Sequence, residues 1–305
     1  MEEIFPNIYR MQYKQLDTDL PIVNSYLIRS ERVLIDAGPD DQVAYQQLQQ
    51  NLMEVGLQVT DLKYILLTHH HVDHTGMLHF FPFSIPLVAV NDFPYYCSEN
   101  YLHDANRFTS NLQLSMVYVS DIKVRLFQEQ TPLKLGHRNM VPISKFEFNN
   151  FRFIECSGHS STDMVIIYQN TFAFTGDILI PKVFFNCVLD LLCATGQPND
   201  HMRVNYKQEL EMLENEKFKE ILPGHGEPLD LQKVLQQTSI NKKRLRRTEK
   251  KVMQATYEGT SLEAVINKCF GPFLQYSHYL PFSDVFSVLG AENMLDSVLI
   301  FRSNG

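Results

Sequence analysis

Residues 68–76 of this chain read THHHVDHTG, and they follow directly on the apolar run KYILLT at residues 63–68, which predicts a buried strand. Two of the histidines, His69 and His71, are two residues apart, so an extended backbone turns their imidazoles to the same side. The same alternation turns His70 away from them. We therefore expect the end of this strand to present a pair of imidazoles to one point in space.

The same segment supplies two further donors, Asp73 and His74. Neutral imidazole and carboxylate are typical ligands of zinc, and they also suit iron or manganese. A single histidine after a strand is usually a polar loop residue, but four donors within six positions have no packing rationale. The segment therefore predicts a metal site, in which the hard oxygen donor of Asp73 helps to hold a second cation close to the first.

Three later residues occur in a similar context, a polar or glycine-bearing loop after an apolar run. They are His159 in CSGHSSTD, Asp177 in FTGD and His225 in LPGHG. The neighbouring glycines allow the backbone to approach a metal site closely. Taken singly, each residue fits ordinary turn chemistry equally well. Together with residues 68–76, they form a set of histidine and aspartate donors.

With these residues in place, the sequence resembles the metallo-β-lactamase-fold hydrolases, in which HxHxDH is followed by an isolated His, Asp and His. The resemblance covers roughly residues 8–229, and all seven expected donors occur in the expected order. It implies an α/β (α+β) fold: a four-layer αβ/βα sandwich of two facing mixed sheets, with helices outside and the metal ions at one edge. It also implies two divalent ions, with zinc as the first expectation and iron or manganese as alternatives.

Carried over position by position, the resemblance implies two metal-binding groups with a bridge between them. The residues implied for the first ion are His69, His71 and His159, those for the second are Asp73, His74 and His225, and the bridging residue is Asp177. A water or hydroxide would be the other bridge. Asp73 is also the candidate catalytic residue, because it is placed to orient that water.

Outside the motifs, the pattern alternates between strands and helices. A Gln-rich helix is expected at residues 41–55, and a mostly helical stretch, a candidate lid, at 103–130. Two apolar runs at residues 145–148 and 151–156 flank Asn149-Asn150, which is a hairpin signal.

The chain changes character near residue 229. Beyond it the pattern is almost entirely helical, and residues 230–305 carry a net charge of +3 against −11 for the remainder. We expect a catalytic domain at residues 1–229 and a C-terminal helical extension at residues 230–305.

The composition of the 305 residues excludes several classes of protein. A hydrophobic content of 44% and a charged content of 20% are ordinary for a globular protein. No apolar run approaches the roughly 20 residues of a membrane span, and the acidic N-terminus MEEIFPNIYR lacks a secretory signal. Five scattered cysteines indicate reduced thiols, and therefore a cytoplasmic location. The net charge of −8 argues against general binding of nucleic acid.

The leading functional hypothesis is a hydrolase that uses a metal-bridging hydroxide to cleave a thioester or a related acyl ester. A helical extension after the last ligand resembles the glyoxalase II-like, thioesterase-like branch, which implies a small-molecule substrate such as an acyl-CoA or glutathione thioester. Phe184 and Phe185 are candidates for an apolar wall beside the metals, and the basic segment 241–251 for an anchor of an anionic carrier. Core packing and a solvated helix explain these two features at least as well.

Two other functions remain open at the level of sequence. A phosphodiesterase or ribonuclease of the same fold predicts affinity for RNA that falls steeply with salt. A regulatory or binding protein that retains the metal site predicts that Asp73→Asn abolishes turnover but leaves the biological effect intact. The oligomeric state is left open, and no membrane partner is expected.

Overall fold

The computed structural model describes residues 1–15, 20, 22–128, 140–183, 187–216, 218–257 and 260–298. The strands are β1 (Glu2–Phe5), β2 (Ile8–Lys14), β3 (Ile22–Ile28), β4 (Val33–Ile35), β5 (Tyr64–Leu66), β6 (Leu87–Ala89), β7 (Met140–Pro142), β8 (Phe151–Glu155), β9 (Met164–Tyr168), β10 (Phe172–Gly176), β11 (Glu220–Pro223) and β12 (Leu229–Asp230). The helices are α1 (Gln42–Glu54), α2 (Val72–Thr75), α3 (Phe93–Tyr96), α4 (Glu99–Asn111), α5 (Met116–Gln128), α6 (Met202–Asn215), α7 (Leu231–Ala255), α8 (Leu262–Phe270) and α9 (Tyr279–Ala291).

The first sheet has seven strands in the order β1-β2-β3-β4-β5-β6-β7. Strands β1 to β4 pair antiparallel, whereas β4 to β7 pair parallel. The three residues of β4 and the three of β6 are all apolar and buried, as expected for parallel strands covered on both faces. Because β4, β5 and β6 run in the same direction, the loops that follow them leave the sheet at one edge.

The second sheet has the order β12-β11-β10-β9-β8, with β10 and β11 parallel and the other pairs antiparallel. Strand β9 is apolar throughout because both of its faces are buried. Ile166 packs into the core shared with the first sheet, whereas Val165 and Ile167 pack with residues of α6 and α7. Successive side chains of a strand point to opposite faces. The two facing sheets with helices outside confirm the predicted sandwich.

The C-terminal helices build a second apolar core together with α4 and α5. Buried residues of this core include Tyr101, Phe108, Ile122, Val265, Phe282 and Phe286. Residues on both sides of position 229 therefore share one core, and β12 at that position still pairs with β11. The division into residues 1–229 and 230–305 stays a prediction. Within the described residues, no helix combines the length and the apolar character needed to cross a membrane.

A buried ion cluster joins α6 to α7 and α9. Arg203 of α6 is 0% exposed, and its guanidinium donates to the Glu249 carboxylate at 3.0 Å and to the Leu245 carbonyl at 2.8 Å. A third guanidinium nitrogen lies 3.4 Å from the Asp284 carboxylate. Burial raises the pKa of Asp284 to about 6, although the guanidinium opposes this shift. The charges therefore depend on one another for compensation.

The hairpin predicted around Asn149-Asn150 is wrong. Strand β7 ends at Pro142 in the first sheet, a 3₁₀ turn follows, and β8 begins at Phe151 in the second sheet. The rings of Phe146 and Phe148 lie 4.9 and 5.7 Å from the ring of Tyr64 in the first sheet. The apolar alternation therefore serves packing against that sheet and not strand pairing. The helix predicted at 41–55 is confirmed as α1. The helical stretch predicted at 103–130 is confirmed as α4 with α5 up to residue 128, and its last two residues lie outside the described residues.

Candidate metal centre

The seven predicted donors come together at one edge of the sandwich. The THHHVDHTG segment follows β5, and its second half forms the short helix α2. The loop between β8 and β9 carries His159, and the loops after β10 and β11 carry Asp177 and His225. Because β10 and β11 are parallel, their two loops leave the second sheet side by side. The topology therefore collects donors that are up to 156 positions apart in the chain.

Three buried imidazoles form the first donor group. A ring nitrogen from each of His69, His71 and His159 lies within 4.8 Å of the others. The closest pair is Nε2 of His159 and Nδ1 of His71, which are 3.1 Å apart. These are the residues that the resemblance implies for the first ion.

Two carboxylates and two imidazoles form the second group: Asp73, His74, Asp177 and His225. Oδ1 of Asp177 lies 3.4 Å from Nε2 of His74, and its Oδ2 lies 3.4 Å from Nε2 of His225. Nε2 of His225 is also 3.3 Å from Oδ2 of Asp73. The rings of His69 and His74 are 4.3 Å apart, so the two groups adjoin.

Several metal-donor atoms of both groups are buried without a hydrogen-bond partner in the described part of the chain. Four buried atoms have no hydrogen-bond partner among the described residues: Nε2 of His69, Nε2 of His74, Nε2 of His225 and Oδ1 of Asp177. Separations of 3.3–3.4 Å between donors are long for hydrogen bonds, but they match the edge of a tetrahedron whose corners lie about 2.0–2.1 Å from one ion. The donor set therefore fits two divalent cations.

The charge pattern differs between the two groups. Burial, together with the nearby imidazoles, holds the pKa of His69 well below its usual value and that of His159 at about 3. Burial also lowers the pKa of His225, but the carboxylates of Asp177 and Asp73 outweigh burial and raise that pKa to about 10. His69 and His159 of the first group are thus neutral and able to ligate, whereas the second group pairs carboxylates with protonated imidazoles. A divalent cation would replace those protons.

Asp36, at the end of β4, orients histidines of both groups, and sequence reasoning missed this role. Its carboxylate lies 2.9 Å from Nδ1 of His74 and accepts from the Thr68 hydroxyl at 2.7 Å. That hydroxyl is in turn 3.0 Å from Nδ1 of His69. Holding one ring nitrogen leaves the other to face a metal. The only signal in the sequence is an aspartate directly after an apolar strand. Aspartate is also a common turn residue at such a position, so this signal does not distinguish the two roles.

Asn24 of β3 fixes the loop that carries His225. Its amide side chain donates to the carbonyls of Pro223 and Gly226 at 3.0 and 2.8 Å, and its backbone N–H donates to the carbonyl of Gly224 at 2.7 Å. Nδ1 of His225 is itself 2.6 Å from the carbonyl oxygen of Ile22 in the same strand. The first sheet therefore positions a donor that belongs to the second.

Gly224 is a position where any side chain would disturb the site. A Cβ there would collide with the Asp177 carboxylate and the His74 ring. We expect Gly224→Ala to weaken metal binding at the second group by about 10-fold or more, as for other disturbances of metal-supporting contacts. Titration of the apoprotein with Zn²⁺ against a chelator measures the effect. Gly271→Ala is the matched control, because a Cβ at Gly271 meets nothing within 4 Å. Equal affinities in the two variants would contradict the expectation.

A groove lies among α3, α4 and the segment 193–196. Its main cavity, of about 640 Å³, includes Asn91, Asp92, Arg107 and Gly196 in its lining. A smaller cavity of about 230 Å³ shares Asn91 and Asp92 and reaches Ser161, two residues from His159. The groove is therefore a candidate path toward the first donor group. Phe184 and Phe185, predicted as an apolar wall, lie outside the described residues.

The basic segment 241–251 belongs to α7, which packs along α6. Asn241 and Leu245 are buried, and Lys242 pairs with Glu214 of α6 at 2.8 Å. Part of the segment is therefore a packing surface. Its proposed contact with an anionic carrier stays a prediction.

The two-sheet sandwich with paired histidine and aspartate groups at one edge defines a metallohydrolase class of fold. A sequence model of the metallo-beta-lactamase superfamily matches residues 18–225, more than half of the chain, and the chain belongs to this superfamily.

Known relatives agree with this assignment. The chain is 27% identical to the probable metallo-hydrolase YqjP of Bacillus subtilis over 233 residues. This aligned region covers 72% of each protein. A metallo-beta-lactamase family protein from Thermus thermophilus has a similar structure, with a TM-score of 0.67 and 20% identity over 95% of this chain and 94% of the other. A beta-lactamase domain protein from Burkholderia ambifaria also has a similar structure, with a TM-score of 0.70 and 15% identity over 99% of this chain and 92% of the other. These two structures support the fold alone.

Proposed function

We propose that this protein is a dinuclear metal-dependent hydrolase that cleaves thioesters or related acyl esters. The observation that carries the hydrolase proposal is the pair of adjoining donor groups, with four buried donor atoms that have no hydrogen-bond partner in the described chain. Superfamily membership supports the same general activity. The glyoxalase II-like branch and the thioester substrate are our own extension.

Each donor has a specific task in this proposal. The residues that would hold the first ion are His69, His71 and His159, those for the second are Asp73, His74 and His225, and Asp177 would touch both. When bound, two such ions would lower the pKa of a shared water into the neutral range and polarise the carbonyl oxygen of the ester or thioester. Zinc is the first expectation, with iron or manganese as alternatives.

Asp73 is the proposed catalytic residue. It is 21% exposed, whereas the other six donors are buried, so its carboxylate borders both the second donor group and the solvent side of the site. Gln15 donates to Asp73 Oδ2 at 3.2 Å, and Nε2 of His225 is 3.3 Å from the same oxygen. A carboxylate fixed in this way is able to accept a hydrogen bond from the attacking water and set its direction.

Hydrolysis without a covalent intermediate is supported by the state of the nearby thiol. Cys156 lines the smaller cavity, but burial raises the pKa of its thiol far above neutrality. A thiol in that state is a poor nucleophile.

The groove supports a substrate with a polar carrier. Asn91 and Asn100 in its lining offer hydrogen-bonding groups to the carrier part of an acyl-CoA or glutathione thioester. We place the protein in the cytoplasm, which is supported by five free cysteines. Nucleic acid and membranes are not proposed as partners.

The test is a substrate panel on the protein loaded with Zn²⁺, Mn²⁺ or Fe²⁺. We expect turnover of acetyl-CoA or of a glutathione thioester, and little turnover of bis(p-nitrophenyl) phosphate or single-stranded RNA. Asp73→Asn is the negative control for catalysis, because it retains the shape of the side chain. Turnover of the phosphodiesters without the thioesters would overturn the substrate proposal and favour the phosphodiesterase alternative.

A further inference from the structure

A second buried polar cluster lies behind the first donor group. It contains His70, which the alternation of the strand turns away from its neighbours, and Asp190, which lies far along the chain. Both side chains are almost completely buried, at 1% and 3% exposure. Burying a carboxylate without partners costs free energy of folding, so the groups around Asp190 indicate its role.

The Asp190 carboxylate faces three parts of the site. One oxygen lies 3.6 Å from Nε2 of His70, and the other accepts from the backbone N–H of Ser161 at 2.7 Å. A ring nitrogen of His71 is within 4.8 Å of the same carboxylate. Asp190 therefore reaches both loops that supply the first donor group.

The ring of His70 is held rigidly against this carboxylate. The Thr162 hydroxyl accepts from the His70 backbone N–H at 3.0 Å and lies 2.8 Å from its Nδ1. Tyr96 stacks on the ring, with centroids 4.3 Å apart and an angle of 22°. His70 Nε2 has no hydrogen-bond partner among the described residues and faces Asp190. The His70 ring is therefore held in one position and packs against the Asp190 carboxylate on the side of His71.

The backbone around Asp190 is anchored on several sides. The N–H of Val188 donates to the carbonyl of His159 at 3.0 Å. The Tyr279 hydroxyl of α9 donates to the carbonyl of Leu189 at 2.8 Å, and the Tyr96 hydroxyl donates to that of Leu191 at 2.7 Å. A carboxylate on such a segment has little freedom to move.

We propose that Asp190 is a positioning residue for the first metal ion, acting through the ring of His71. Nδ1 of His71 faces His159, so the Asp190 carboxylate acts on the other ring nitrogen of His71, which it orients and makes more basic. This inference rests on the proposed assignment of the first donor group. It requires only that the group binds metal and does not depend on the substrate.

The experiment is a metal titration of the full chain carrying Asp190→Asn. The amide preserves the shape and an acceptor for Ser161, but it removes the negative charge. We expect two Co²⁺ ions to bind to the unaltered protein, and one of them to bind about 10–100-fold more weakly to the variant. The visible absorption of bound Co²⁺ should change for that ion alone.

Asp284→Asn is the matched control, because it removes another buried carboxylate that pairs with Arg203 and not with the donor loops. We expect it to change stability and leave both Co²⁺ affinities unaltered. If Asp190→Asn fails to fold, Tyr279→Phe removes one anchor of the segment and should weaken the same ion to a smaller extent.

The outcomes separate this inference from the proposed function. If the unaltered protein binds fewer than two ions, the dinuclear proposal itself fails. If it binds two and Asp190→Asn binds both with the same affinity and spectrum, the role of Asp190 is overturned. A weakened first ion with an intact second ion supports it.

Discussion

Asp177→Asn is expected to abolish hydrolysis, with a loss of at least about 10³-fold in kcat/KM. The two oxygens of Asp177 lie 3.4 Å from Nε2 of His74 and 3.4 Å from Nε2 of His225. The substitution replaces one oxygen by an N–H₂ group, which cannot ligate a cation. It also removes the negative charge that would compensate two divalent ions in a buried site. Metal content should therefore fall along with activity.

Elemental analysis and turnover of the best thioester check this expectation on the same preparation. Asp200→Asn is the matched control, because Asp200 is a partly exposed aspartate outside the donor groups, 3.6 Å from the exposed ring of His201. A variant at position 177 that keeps two bound ions and full activity would remove Asp177 from the metal centre.

Arg203→Met should lower the free energy of unfolding by about 3–5 kcal/mol. The methionine fills much of the space, but it leaves Asp284 without the guanidinium that lies 3.4 Å from it, whereas Glu249 keeps its ion pair with Lys207 at 2.6 Å. Burial already raises the pKa of Asp284 to about 6, and loss of the opposing charge should raise it further. When folding raises the pKa of a carboxyl, the free energy of unfolding falls as the pH rises from the pKa in the unfolded chain to the pKa in the folded protein. The deficit of the variant should therefore grow between pH 5 and pH 8.

Chemical denaturation at pH 5 and at pH 8 measures this difference. Arg246→Met is the control, since Arg246 is an exposed arginine of α7. Adding Asp284→Asn to Arg203→Met should recover part of the lost stability, mostly at pH 8. A loss below about 1 kcal/mol at both pH values would show that the cluster contributes little.

The sequence was sufficient to predict which side chains meet at this edge, because four of the candidate donors are close together in the chain and the resemblance adds His159, Asp177 and His225. His69 and His71 alternate along a strand, and Asp73 and His74 follow within one helical turn. The sandwich could be predicted through the resemblance that these residues carry, and the family match confirms it. The roles of individual donors stay predictions, although the structure gathers all seven into two adjoining groups.

The supporting residues could not be predicted, because they act across long stretches of chain. Asp36 reaches His74 over 38 positions, and Asp190 approaches His70 only after the loop before α6 folds back. Nothing in the local pattern around an aspartate after a strand distinguishes a positioning residue from a turn. The false hairpin has a similar origin, since an apolar alternation at residues 146–153 fits packing against a sheet as well as strand pairing.

The contacts between α9 and the segment 188–191 have a consequence for how this chain can vary. Tyr279 and Ser283 of α9 hold the backbone of Leu189, next to the carboxylate that faces His70. A helical extension attached in this way is not an exchangeable module, because a different tail would withdraw support from the histidine loops. Recombination between relatives should therefore succeed only when the tail and the segment 188–191 are inherited together.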